Sequence, residues 1–360
     1  MASSSATDLP APSSSASLSD APPSSLATTI HIGSRKSVLA LIQTEIVHKS
    51  LRSAWPDLQY EIHSMSTMGD KNQITPLHDF GAKSLWTHEL EALLLEGKLH
   101  MIVHSLKDMP TQLPPTLTIG AILLREDPRD ALIMKSSLAT THTSIASLPA
   151  GSIVGTSSVR RSAQIARKYP HLRFKDVRGN VGTRLAKLDA EDGEYACLIL
   201  AAAGIKRLEL GHRITQYLDS RNGGLLHAVG QGALGIEIRQ GDERIKGLLK
   251  QLEHRPTALA CLAERSLMRT LEGGCSVPIG VETEWEEGNG DGGERKEMLR
   301  MRAVVVSLDG TESVERERVG KVVTEGEADE FGWAMAREMV EKGAAKILEK
   351  INLNRDIINA

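Results

Sequence analysis

At 360 residues with a net charge of −3, the chain is long enough for two or three domains with separate cores and too nearly neutral for an extended nucleic-acid surface. Aromatic residues, at 3%, are too few for a row of base-stacking platforms, and no apolar run approaches the roughly 18 residues of a membrane span. The three cysteines, Cys197, Cys261 and Cys275, are far apart, with no CxxC pair and no zinc-type histidine spacing, so neither a disulfide framework nor a metal site is suggested.

Residues 1–28 are Ser, Ala and Pro with almost nothing to bury, and read as a disordered tail. The tail has neither the apolar core of a signal peptide nor the arginines of a transit peptide, which makes the cytoplasm the expected location. Residues 30–32 read as a strand, followed by a helix to about Ala54 with Leu39, Ile42, Ile46 and Leu51 on one face. Strand character returns at 58–65, helix at 84–96 and strand at 100–104. The alternation resumes with strand 153–155, helix 158–168, strand 172–177, helix 181–190 and strand 197–201.

Strands and helices taking turns imply parallel sheets covered by helices. Two such units are expected, over 29–124 and 130–222, joined by a linker at 125–130. Residues 232–239 read as a strand returning to the first unit, so that domain takes in about 229–247 as well. Two helical stretches, strands at 277–282, 299–308 and 314–322, and a closing helix at 329–348 make a third, smaller α/β domain over 250–360. Its Gly-rich, charged segment 286–297 reads as a flexible loop.

Several strand-to-helix junctions combine Gly, a small hydroxyl residue and basic side chains: Gly33-Ser34-Arg35-Lys36, Lys83-Ser84, Gly155-Thr156-Ser157-Ser158-Val159-Arg160-Arg161 and Arg178-Gly179-Asn180-Val181-Gly182-Thr183-Arg184. Arginine at a helix start is unfavourable in isolation, because that end already carries partial positive charge. It makes sense where exposed N–H groups and planar guanidinium forks together grip carboxylates or phosphates. No Gly-Lys-Ser/Thr sequence supports a nucleotide, so the repeated pattern points to a ligand with many negative groups. Strand 100–104 ends in Ser105-Leu106-Lys107-Asp108-Met109-Pro110, which puts the Asp108 carboxylate at the same rim, as an acid, a base or a stabiliser of positive charge. Cys197 lies in an apolar run, whereas Cys275 follows Gly273-Gly274 and precedes Pro278 by three residues, a loop setting suited to a nucleophile or an attachment point.

The stretches IGSRKSVLALIQ, VHSLKDMP, REDPRDA, GSIVGTSSVRRSAQ, VRGNVGTRLAKLD, AAAGIKRL, AVGQGALGIE and LEGGCSVPIG resemble the porphobilinogen deaminase family, in family order over about 29–360. The resemblance implies an α/β fold of three domains, the first two resembling type II periplasmic binding proteins. It implies a transferase of heme biosynthesis that joins four molecules of its substrate, porphobilinogen, with loss of ammonia, into the linear tetrapyrrole hydroxymethylbilane. It also implies a dipyrromethane cofactor held by a thioether to Cys275, and Asp108 as the catalytic carboxylate assisting loss of ammonia. Lys83, Lys107, Ser157, Arg160, Arg161, Arg178 and Arg184 would then bind the cofactor, and Arg35, Ser37 and Arg207 the substrate. A monomer without nucleic-acid or membrane partners is implied. Asp79 and Trp86 depart from the family's usual residues. The alternative class, a non-catalytic binding protein for a polycarboxylate, accounts for the arginines but gives no reason for Asp108 or for a loop cysteine.

Overall fold

The computed structural model describes residues 29–66, 87–271, 277–286 and 297–358. The first sheet is built from β1 (Thr29–Arg35), β2 (Gln59–Met65), β3 (Met101–Ser105) and β4 (Leu117–Ile122), with α1 (Val38–Ala54) and α2 (His88–Leu95) as its first helices. The chain then crosses to β5 (Asp130–Met134), β6 (Ile153–Gly155), α3 (Val159–Lys168), β7 (Arg173–Lys175), α4 (Val181–Asp189), β8 (Tyr195–Ala201), α5 (Ala202–Arg207) and β9 (Gln216–Leu218). It returns through β10 (Leu234–Arg239) and α6 (Glu243–Leu249). The remainder is α7 (Arg255–Thr270), β11 (Ile279–Trp285), β12 (Met298–Val306), β13 (Ser313–Lys321), α8 (Glu325–Glu341) and α9 (Ala344–Ile358).

The first two sheets share one plan. The first has the order β2-β1-β3-β10-β4 and the second β7-β6-β8-β5-β9. In each, three strands run parallel and the fourth position is filled by an antiparallel strand, β10 in one and β5 in the other. Each antiparallel strand follows a crossing between the two units, so 123–129 and 219–233 form a double connection. The third sheet is an antiparallel β11-β12-β13 meander covered by α7, α8 and α9. The fold is thus α/β, with two sheet-rich domains and a smaller C-terminal sheet-and-helix domain.

Several expected elements change in detail. The apolar face read for α1 is rotated: Ala40, Gln43, Thr44, Val47 and Leu51 are buried, while Ile46 is exposed. The buried polar pair is satisfied, Gln43 by Ser105 at 2.8 Å and Thr44 by Ser34 at 2.7 Å, so burial costs little. Strands β4, β5 and β9 add to those expected; β5 is five residues long and wholly buried, a run too short to show a period. The closing helix is two helices, α8 and α9, parted at Lys342-Gly343, where Gly343 takes φ 101°. At Gly332 a Cβ would come within 2.1 Å of the Ala263 carbonyl oxygen, so glycine is what lets α8 approach α7 so closely. The expected tail at 1–28 and most of the expected loop at 286–297 lie outside the described residues.

Candidate active site

Asp108 closes a single 3-10 turn, Leu106–Asp108, directly after β3, and both Lys107 and Asp108 are partly exposed. The turn is anchored by the buried Leu106 side chain and by its backbone N–H, which donates to Ala233 O at 3.0 Å. The C-terminal end of β3 therefore faces the start of the returning strand, and the double connection holds this rim against the second unit.

Across the rim, β6 ends in Gly155 and α3 begins after the Ser158 cap, which places Arg160 and Arg161 in its first turn. Both arginines are buried, with 5% and 7% exposure, and both bind Asp130, the wholly buried first residue of β5. Arg160 Nη1 donates to Asp130 Oδ2 at 2.8 Å and to Leu226 O at 2.5 Å. Arg161 donates through Nε and Nη2 to Asp130 Oδ1, at 3.0 and 2.7 Å, and through Nη1 to Ile199 O at 2.9 Å. Gln231 Nε2 adds a bond to the same carboxylate at 3.0 Å. Burial alone would raise the Asp130 carboxyl, but the two guanidinium groups hold it well below the ordinary carboxylate range. Two cations thus share one anion, and a guanidinium has five N–H donors. Three of those on Arg160, at Nε and Nη2, have no partner among the described residues.

Further cations stand in the same field. Lys107 is lowered by burial and by Arg161 and Arg160, against the pull of Asp108 and Asp130. Arg184, in the first turn of α4, is pushed down to about 10 by burial and by Arg161 and Arg178. Its Nε donates to Gly179 O at 2.8 Å, and the Asn180 side chain caps α4 by accepting from the Thr183 backbone N–H. Lys107, Arg160, Arg161, Arg178 and Arg184 therefore outnumber Asp108 and Asp130, the carboxylates among these named groups. Ser157 is held by the Val177 backbone, donating to its carbonyl at 2.9 Å, and lines a cavity of about 110 Å³ with Thr156, Ser158 and Lys175. A larger cavity, about 690 Å³ and lined by Lys135, Asp189 and Tyr195, opens at the opposite end of the second sheet.

The remaining expected residues are arranged differently. Arg35 ends β1 and Ser37 caps α1, accepting from Ala40 N at 3.3 Å, so Arg35 and Lys36 precede the helix rather than start it. Arg207, at the end of α5, donates to Gly232 O at 2.8 Å across the double connection. Lys83 and Cys275 lie outside the described residues, as do Asp79 and Trp86. Asp130 and its bond to Gln231 were not among the expected site residues. The signal was present in REDPRDA, which packs both signs of charge into what reads as a plain linker.

A mixed α/β protein with a cationic cleft between two like-built sheets and a carboxylate at its rim has an arrangement suited to a small polyanion, and comparison with known proteins gives its family. Residues 30–247 match the family model described as porphobilinogen deaminase, dipyromethane cofactor binding domain, and residues 258–341 match the porphobilinogen deaminase C-terminal domain. The chain is 51% identical over 333 residues to porphobilinogen deaminase of Candida albicans, covering 91% of this chain and 94% of the relative. It is 53% identical over 329 residues to that of Yarrowia lipolytica, covering 90% and 94%, and 49% identical over 333 residues to that of Saccharomyces cerevisiae, covering 91% and 98%. Among solved structures, the methionine binding protein MetQ is similar at 12% identity and a TM-score of 0.39, over 64% of this chain and 92% of that one. The chain belongs to the porphobilinogen deaminase family, and so is a transferase of tetrapyrrole biosynthesis that carries the family's dipyrromethane-binding domain. Among the described residues, no helix is long and apolar enough to cross a membrane.

Proposed function

We propose that the chain condenses four porphobilinogen molecules, with loss of ammonia, into hydroxymethylbilane (hydroxymethylbilane synthase, EC 2.5.1.61), on a dipyrromethane held by Cys275. The observation that carries the reading is the convergence of Lys107 and Asp108 with Arg160, Arg161 and Arg184 at one rim. The donor set fits the cofactor: acetate and propionate groups need bidentate donors, and Arg160 retains them at Nε and Nη2 while its Nη1 is fixed on Asp130 and Leu226. When bound, the dipyrromethane supplies a pyrrole carbon to which the next substrate unit is joined.

The chain's own residues do the rest. Asp108 holds a carboxylate at the rim, able to pass a proton to the departing amine and to stabilise positive charge left on the substrate ring. Arg160, Arg161, Arg178, Arg184, Lys83, Lys107 and Ser157 bind cofactor carboxylates, and Arg35, Ser37 and Arg207 take those of the incoming substrate. Asp130 orients both arginines, so that their geometry is set before the ligand arrives. The surplus positive charge suits a product that gains two carboxylates with every unit. The working form is a cytoplasmic monomer, as the family resemblance implies. A non-catalytic polycarboxylate-binding protein is not favoured, because the family match covers both the cofactor-binding and C-terminal domains.

The test is the intact mass of purified wild-type protein beside Cys275→Ser, before and after incubation with porphobilinogen. Wild type should exceed its sequence mass by two linked pyrrole units, or gain them on incubation, and the variant should do neither. A wild type that stays at its sequence mass after incubation overturns the reading.

A further inference from the structure

The parallel register of β1 and β2 pairs His31 with Glu61 and Gly33 with His63. Side chains alternate along a strand, so His31, Glu61 and His63 share one face of the sheet, opposite the buried Ile30 and Ile32. Because β2 is the edge strand, this face is open to solvent there: His31 is partly exposed and Glu61 and His63 are exposed. The three side chains converge on one point. His31 Nδ1 lies 2.9 Å from His63 Nε2 and 3.3 Å from Glu61 Oε2, and His63 Nε2 lies 3.6 Å from the same oxygen.

These separations have a chemical meaning. Zinc bonds of about 2.0–2.1 Å in a tetrahedron put neighbouring donor atoms roughly 3.3 Å apart. The triangle of two nitrogens and one oxygen therefore has nearly the edges of one tetrahedral face. His31 is also fixed from behind: its ring stacks on His100 at 5.4 Å and 10°, and its backbone N–H donates to His100 Nδ1 at 2.9 Å. The stacked His100 ring restricts the orientation of the His31 imidazole. Two imidazoles and a carboxylate suit borderline ions such as zinc, cobalt, nickel or copper rather than magnesium or calcium.

We propose that His31, Glu61 and His63 bind one divalent transition-metal ion on the open edge of the first sheet, with water completing the coordination. The site is separate from the cleft, since His31 stands four residues before Arg35 on β1, or roughly 13 Å along the strand. Spacing along the chain could not reveal it, because the donors come from strands joined only through α1 and meet through their register.

The experiment titrates the holoenzyme with cobalt(II), followed by displacement with zinc(II), in wild type, His63→Ala, Glu61→Gln and the control His48→Ala. Wild type and His48→Ala should bind one equivalent in the micromolar range, with ligand-field absorption of a four-coordinate nitrogen and oxygen set. His63→Ala and Glu61→Gln should each bind at least tenfold more weakly, with turnover at the wild-type level. If His63→Ala fails to fold, Glu61→Gln carries the comparison alone. No saturable equivalent in wild type, equal affinity in the folded variants, or a thiolate-to-metal charge-transfer band would each overturn the proposal.

Discussion

Arg125 and Glu264 form a two-pronged ion pair, Nη1 to Oε1 at 2.7 Å and Nη2 to Oε2 at 3.0 Å, that fastens the crossing between the first two sheets to α7 of the third domain. Glu264 is wholly buried and also accepts from Gly230 N at 2.8 Å and Thr283 Oγ1 at 2.6 Å, while Arg125 Nε donates to Gln231 O at 2.7 Å. One carboxylate thus ties both strands of the double connection to β11. Removing one partner of a buried pair leaves an uncompensated charge, so Arg125→Ala should cost about 3–5 kcal/mol. The exposed Arg167–Glu315 pair gives the contrast, and Arg167→Ala should cost no more than about 1 kcal/mol. Urea unfolding midpoints of the two variants check the difference, and equal shifts would refute it.

Asp108→Asn keeps the shape of the side chain and removes its charge and its capacity to take or give a proton. Turnover of porphobilinogen should fall by about 100-fold or more, with the cofactor still attached by intact mass. Near-normal turnover would remove Asp108 from the chemistry.

Arg161 and Arg184 should separate by stability. Arg161→Leu takes three hydrogen bonds from a buried network and leaves Asp130 to Arg160 and Gln231, so it should lower both the unfolding temperature and cofactor content. Arg184→Leu relieves a crowd of like charges and loses the bond to the Gly179 carbonyl, so it should impair elongation with a much smaller loss of stability. Thermal unfolding alongside the distribution of bound pyrrole units by mass would show this, and equal destabilisation of both variants would contradict it.

The sequence made the alternation of strands and helices legible because the long elements carry distinct patterns, a helical period in the helices and, in β8, a continuous apolar run buried along almost its whole length. It also placed Arg160, Arg161 and Arg184 at helix starts, because glycines and hydroxyl residues announce those junctions. The anion those arginines hold inside the protein was not legible: Asp130 lies 30 and 31 residues away, and nothing local distinguishes a linker aspartate from the buried head of β5. The buried face of α1 was misread for a related reason. Gln43 and Thr44 look solvent-bound until Ser105 and Ser34, supplied by other strands, satisfy them.

The two described cysteines should be inert. Burial pushes the thiols of Cys197 and Cys261 up to about 12, which leaves roughly one part in ten thousand as thiolate at about pH 8. Iodoacetamide on the native protein should leave both unmodified in a peptide map, and urea should expose both. Alkylation of either in the native state at the rate of a free thiol would show that its segment opens.

His227 sits where the returning chain meets β11, its carbonyl accepting from Val281 N at 2.8 Å, and it is 2% exposed. Its Nδ1 bonds to Ala228 O at 3.1 Å, and Nε2 has no partner among the described residues, so the ring is buried neutral. Burial first, and then the nearby Arg125, push it down to about 4 from an ordinary 6.5. The unfolded chain therefore binds the extra proton between those two values and the folded chain does not. Folding stability is complete above 6.5, falls as pH drops through the window, and by pH 4 has lost about 3 kcal/mol through this one group. His227→Gln has no such proton to take up, so urea midpoints measured from pH 7 to 4 should fall less steeply in the variant than in wild type. Parallel curves would assign the acid sensitivity to other groups.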